Sequence, residues 1–289
     1  MKNIGKYILL LFLFANIVSC SEDDLGPSVI EDDNSTITAF DAWLEDNFRK
    51  PYNIRIIYKL KDIETSTDFN TVPPKPENGW ALAKVIKYLW AETFDEYSGP
   101  EFLKAYSFRE LQMEGTYRYQ TSTYIKATAS GGIKVVFCGV NNLRLNDVLD
   151  ADYMTDTYIK TMFHEYTHIL NQRKAYDPTF GNICGPDYNG DDWNDRTNDE
   201  AHALGFITPY AGHSSGEDFA ETVSIYLSFG QENWDRILAG TTPEGASKIS
   251  EKLDIAIAYL KNSWDIDLNE LRKVFETRKA NLKNLDVNI

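Results

Sequence analysis

The sequence predicts an α+β fold, with a small sheet in the first half of the chain and a helical second half. Short runs of alternating apolar and polar residues lie between residues 52 and 140, the period of half-buried strands. From about residue 150 the apolar positions recur at helical spacing, and no repeat at a solenoid period competes with that reading. With 289 residues, 43% of them hydrophobic and 13% aromatic, the chain has the bulk for one substantial core. Acidic residues outnumber basic ones by 44 to 29, for a net charge of −15. A duplex nucleic acid is thereby excluded as partner, because phosphates need a basic footprint.

Each element follows from local signals. Thr38 stands where a helix cap belongs, ahead of Phe40, Trp43, Leu44 and Phe48. Residues 52–60 alternate around Ile54, Ile56 and Tyr58, which predicts a strand. Pro73, Pro74 and Pro76 break the chain. Residues 79–97 then form a long helix with Leu82, Val85, Ile86, Leu89 and Trp90 on its apolar face. Several strand-like runs occupy residues 107–140, the last of them at 133–140, and helices follow at 152–173, 215–229, 243–263 and 267–281. No second linker interrupts residues 37–289, so they are read as one domain.

The N-terminus is an address. Lys2 and Lys6 precede an apolar run at residues 7–18 that is broken only by Asn16, too short to span a bilayer. It ends Ile17-Val18-Ser19-Cys20, which resembles a bacterial lipobox. The resemblance implies a signal peptide at residues 1–19, removed before a lipidated Cys20. Residues 20–36 form an acidic tether whose Ser21-Glu22-Asp23-Asp24 start resembles the surface-export signal of Bacteroidetes lipoproteins. The expectation is an outer-membrane lipoprotein exposed at the cell surface, held to the membrane through Cys20. Of the remaining cysteines, Cys138 lies in an apolar run; it either pairs with Cys184 or stays a buried thiol.

The strongest chemical signal is His164-Glu165-Tyr166-Thr167-His168, an HExxH motif inside the helical pattern at 152–173. Spacing of i, i+4 puts both imidazoles on one helix face, about one turn apart, where one zinc ion can bind both. Glu165 projects beside them and can take a proton from metal-bound water. Ile159, Met162, Phe163, Tyr166, Ile169 and Leu170 form the apolar stripe of the same helix. The two histidines fall opposite its centre, which predicts that they face solvent or a cleft.

Catalytic zinc usually takes a third protein ligand. Asn171 and Lys174 stand where the metzincin pattern requires Gly and His, so that class is excluded. The segment Ser215-Gly216-Glu217-Asp218-Phe219-Ala220-Glu221 supplies acids instead. Ser215 with Asp218 reads as a capping box, and Glu217 and Glu221 share a face at i, i+4. One can bind the metal while the other orients a histidine ligand. His202 and His213 are alternative ligands, but only the acids come with a helix of their own. Residues 187–192 place oxygens alternately, as a calcium loop does, yet Asp192 and Asn198 stand where an EF-hand needs Gly and Glu. They are read as a solvated loop.

HExxH followed by Glu-Asp-Phe-Ala-Glu resembles the gluzincin zinc peptidases, particularly the group of anthrax lethal factor and the Pro-Pro endopeptidases. The resemblance implies a zincin domain whose HExxH helix carries the active site. Glu217 would be the third zinc ligand and Glu221 an outer-shell partner. Tyr210, seven residues before the ligand, would stabilise the oxyanion. It also implies an edge strand ahead of the HExxH helix that pairs with extended substrate, for which residues 133–140 are the candidate; their apolar run equally permits a buried strand. Lipobox, tether and motifs together resemble the Bacteroidetes zinc metallohydrolase lipoproteins associated with SusC/SusD-type nutrient import. The expected activity is zinc-dependent hydrolysis of peptide bonds. The alternatives are hydrolysis of a non-peptide amide by the same site, and a non-catalytic binding component of an import complex. A structural zinc site is normally closed by four protein ligands; three ligands and a glutamate base favour catalysis.

Overall fold

The structure is a computed structural model that describes residues 37–60, 68–119 and 124–287. The signal peptide, Cys20 and the acidic tether lie outside the described residues. Residues 39–289 form one compact unit.

Its first helix, α1 (Ala39–Leu44), runs on through a π turn (Glu45–Arg49) into Lys50–Tyr52. Asn53 then takes a left-handed conformation, with φ 56°, that ends the helix. The strand expected at 52–60 is therefore only β1 (Arg55–Ile57), with Ile54 and Ile56 facing the core. Phe40 stacks on Trp80 at 4.9 Å and joins α1 to the next helix.

That helix, α2 (Pro76–Ile86), has proline in its first turn, where the missing N–H has no partner to lose. It continues through a π turn (Lys87–Ala91) into α3 (Glu92–Ser98) and stops at Gly99, φ 80°. Leu82, Val85, Ile86, Leu89 and Trp90 are all fully buried, so this is the central helix of the core.

Three strands, β1, β2 (Glu110–Met113) and β6 (Lys134–Phe137), pair in parallel, and β5 (Ala127–Ser130) adds antiparallel to β6 at the edge. β3 (Arg118–Tyr119) and β4 (Tyr124–Ile125) form a separate ribbon. The segment at 133–140 is thus not the edge strand. β6 is enclosed between β2 and β5, and Val135, Val136 and Phe137 are buried. A strand with neighbours on both sides and covered faces reads as a continuous apolar run. Among the described residues the edges of the sheet are β1 and β5, and the alanines and polar residues of β5 are at most partly buried.

The HExxH segment lies on α4 (Lys160–Arg173), reached through Ala151–Met154 and a π turn (Thr155–Ile159). Asp150 starts this run by accepting the N–H groups of Asp152 and Tyr153, both at 3.0 Å. The stripe from Ile159 to Leu170 is buried throughout. Tyr166 meets Trp90 edge-on at 5.3 Å and Phe163 meets Phe275 at 5.2 Å, so α4 rests on both the central helix and the C-terminal part.

The helical second half comprises α5 (Asn198–Leu204), α6 (Ser215–Ala239), α7 (Pro243–Trp264) and α8 (Leu268–Asn281). The cap of α6 is Ser214, one residue earlier than the capping box expected at Ser215. Ser214 holds the extended conformation, φ −161°, and its hydroxyl accepts the Glu217 N–H at 3.3 Å. α6 outruns the expected end near residue 229 because it resumes after a break at Gly230, whose φ of 76° and ψ of 174° suit glycine. No described helix is long and apolar enough to cross a membrane.

Candidate metal centre

The site is made where α4 packs against the first turns of α6. His164 and His168 stand one turn apart on α4, with ring centroids 4.8 Å apart. The cap at Ser214 fixes the first turn of α6, which turns Glu217 toward them. Glu217 Oε2 lies 2.9 Å from His164 Nε2 and 3.2 Å from His168 Nε2, and the two Nε2 atoms are 3.1 Å apart. Among the described residues this is the one group of three metal-capable side chains brought together.

The donors fit a tetrahedral zinc. Bonds of about 2.0–2.1 Å place ligand atoms about 3.3 Å apart, a few tenths wider than the observed triangle. Their chemistry fits as well. His164 Nδ1 lies 2.8 Å from Glu221 Oε1, a carboxylate that can only accept. A neutral His164 with its proton on Nδ1 presents a bare Nε2 lone pair to the carboxylate of Glu217 and the ring of His168. Three acceptors around one point call for a cation. Without metal a proton takes that role: burial lowers the His164 pKa, but Glu217 and Glu221 outweigh it and raise it to about 9. Glu217 is pushed up by burial and pulled down further by the two histidines, and ends well below the ordinary carboxylate range.

The helical wheel of α4 left open whether the histidines face solvent or a cleft. His164 is 5% exposed and Glu165 6% exposed, because α6 covers that face. Burial raises the Glu165 carboxyl, against the opposing pull of His164 and His168. Glu221, one turn after Glu217, is 1% exposed; Thr208 Oγ1 donates to its Oε2 at 2.7 Å and the Lys160 ammonium pairs with its Oε1. Tyr210 opens the turn Tyr210–His213, with its ring 5.9 Å from that of His164. Burial raises its phenol above the usual value, so it stays a donor at neutral pH.

His202 bonds Ile207 O at 3.1 Å and His213 meets Asp191 at 3.3 Å, so neither joins the cluster. Cys138 and Cys184 are free, buried thiols with separate neighbours, Glu114 and the Leu204 carbonyl. Three nearby residues were not singled out from the sequence. Lys160 shares the α4 face of His164 at i, i−4, a spacing that could have flagged it. Thr208 and Trp193, whose ring meets Tyr210 edge-on at 5.0 Å, sit in irregular segments that carry no periodic signal.

A family model described as "Putative zinc-binding metallo-peptidase" matches residues 33–269. The chain belongs to this family. Zinc, the metal expected from the motif, is the metal of the family, and the His/His/Glu cluster is a group that could hold a metal ion. A solved structure titled as a putative zinc-binding metallo-peptidase from Bacteroides caccae superposes with a TM-score of 0.72 at 34% identity, covering 86% of this chain and 95% of that one. The α+β architecture, mostly helical with a small mixed sheet, is thus shared with a member of the zinc-binding metallo-peptidases. A search of the curated proteins finds no match.

Proposed function

We propose that this protein is a zinc-dependent metallopeptidase with a gluzincin-type site, which hydrolyses peptide bonds. The observation that carries the reading is the convergence of His164 Nε2, His168 Nε2 and Glu217 Oε2 within 3.2 Å of one another, beside the buried Glu165. These three side chains would hold the metal. Zinc bound there supplies Lewis acidity, toward a water and toward the scissile carbonyl.

The other residues have separate tasks. Glu165, in a dry position that raises its proton affinity, takes the proton of the attacking water and passes it to the leaving amine. Tyr210 keeps its proton and donates a hydrogen bond to the oxygen on which charge develops. Glu221 sets the tautomer and orientation of His164 through Nδ1. Among the described residues β5 is an edge strand packed beside α4, and its outer side would pair with an extended substrate.

The anchor belongs to the same proposal. Cys20 carries the lipid, the acidic tether leads to the outer face of the outer membrane, and the substrate is a peptide or protein met there, with a SusC/SusD-type importer as partner. A Cys20→Ala chain should stay unlipidated and leave the membrane fraction.

Zinc content and a peptide-library screen of the chain from residue 21 onward test the enzyme. About one zinc per chain, lost in Glu217→Ala, is the expected result. Glu165→Gln should keep the metal and lose hydrolysis by a factor of about 100–10,000. Zinc without hydrolysis of any peptide or amide would favour the binding-component reading; no zinc after metal loading would remove the enzyme reading and leave the binding component alone.

A further inference from the structure

Three buried carboxylates, Glu165, Asp218 and Glu221, and the partly buried Glu217 lie close together where α4 meets α6. Asp218 points away from the histidines and is matched by Lys252, 2.5 Å from it. The other three surround the two imidazoles. A divalent ion offsets two of their charges and leaves one. An unpaired buried carboxylate is costly, so a third positive charge is required on this side of α6.

Lys160 supplies it. It stands one helical turn before His164 on the same face of α4, and its ammonium pairs with Glu221 Oε1, the oxygen that also faces His164 Nδ1. Glu221 is 1% exposed at its side chain and Lys160 21%, so the pair is largely shielded from water. Thr208 holds the second oxygen at 2.7 Å, and its hydroxyl accepts the Ala211 N–H at 3.2 Å, inside the turn that carries Tyr210.

We infer that Lys160 is a positioning residue of the metal centre: it holds Glu221 in place, and through Glu221 it fixes the His164 ring and, by way of Thr208, the Tyr210 turn. This rests on the proposed zinc site. The competing role, a plain clasp between two helices, would affect stability and not the metal.

The experiment measures zinc affinity by competition with a chromophoric chelator, together with the visible spectrum of the cobalt-substituted protein. Lys160→Met should weaken zinc binding about 10–100-fold, the usual effect of losing a group that supports a ligand, and should shift the cobalt bands. Lys160→Arg, which keeps the charge, should restore both. In a Glu221→Gln background Lys160→Met should add almost nothing, since the lysine acts through that carboxylate. If Lys160→Met does not fold, Lys160→Gln gives the same comparison with a polar head at a half-buried position. Unchanged affinity and cobalt spectrum in a folded Lys160 variant would overturn the inference alone, as would an equal loss in the Glu221→Gln background. A parent protein that takes up no zinc would overturn this inference and the proposed function together.

Discussion

Lys252 Nζ lies 2.5 Å from Asp218 Oδ2, and both side chains are at most 1% exposed. The lysine also donates to the Gly205 carbonyl at 3.0 Å and sits 4.4 Å from the Phe206 ring centroid, while Tyr188 donates to the same Asp218 oxygen at 2.8 Å. Burial raises the Asp218 carboxyl to about 6 against the pull of Lys252. The pair ties α7 to the residue next to Glu217, so it clamps the turn that presents Glu217 to His164 and His168. Lys252→Met leaves a buried carboxylate without its cation and should cost about 3–5 kcal/mol in urea unfolding. Adding Asp218→Asn should recover part of that loss, because the stranded charge is then removed. Additive losses in the double variant would contradict the pairing.

Tyr210 provides a separable test of the chemistry. Its ring is fixed between His164 and Trp193, at 5.9 and 5.0 Å, so phenylalanine can keep the packing while losing the hydroxyl. Tyr210→Phe should lower kcat by about 100–1,000-fold, the typical effect of removing one oxyanion donor, with zinc content unchanged. A rise in KM with kcat unchanged would instead assign the phenol to substrate binding.

Metal and fold should be linked through the two helices that meet at the site. A ligand that binds only the native state adds about 4 kcal/mol when it is present at 1,000 times its Kd. Chelation should therefore lower the Tm of the parent protein and leave that of Glu217→Ala almost unmoved, as differential scanning calorimetry would show.

The parts of this site that were legible in the sequence are those set within one helix. The i, i+4 spacing of His164 and His168, the buried stripe from Ile159 to Leu170 and the shared face of Glu217 and Glu221 follow from helical geometry alone. What escaped depends on a second element. Whether His164 faced solvent or a cleft stayed open because a wheel of α4 contains no information about α6, which covers it. The segment at 133–140 was compatible with an edge or an enclosed strand until the pairing of β6 with both β2 and β5 was in hand. The cap of α6 was misplaced by one residue because Ser214 and Ser215 are chemically equal, and only the extended backbone of Ser214 tells them apart. Lys160 reads from sequence as an ordinary surface lysine; its meaning comes from Glu221, sixty-one positions away.

The thiols give a prediction with a defined pH window. Cys138 is 2% exposed at the end of β6, and its Sγ lies 3.7 Å from Glu114 Oε2. Burial first, then the Glu114 charge, push its pKa from 9.0 to about 12. Cys184 is fully buried, and burial raises its pKa as well. The thiolate is the form that reacts, and folding disfavours it. At pH 8 iodoacetamide should therefore label neither cysteine in the native chain from residue 21 onward, and both in urea. The linkage has the same sign: the unfolded thiol ionises first as pH rises past 9.0, so the contribution of Cys138 to stability is full below that value and is lost toward about 12. Intact-mass spectrometry reads the labelling directly. A native protein two hydrogens lighter than the sequence mass, with no thiol released by urea, would instead mean that Cys138 and Cys184 pair, which their separate neighbours in the fold oppose.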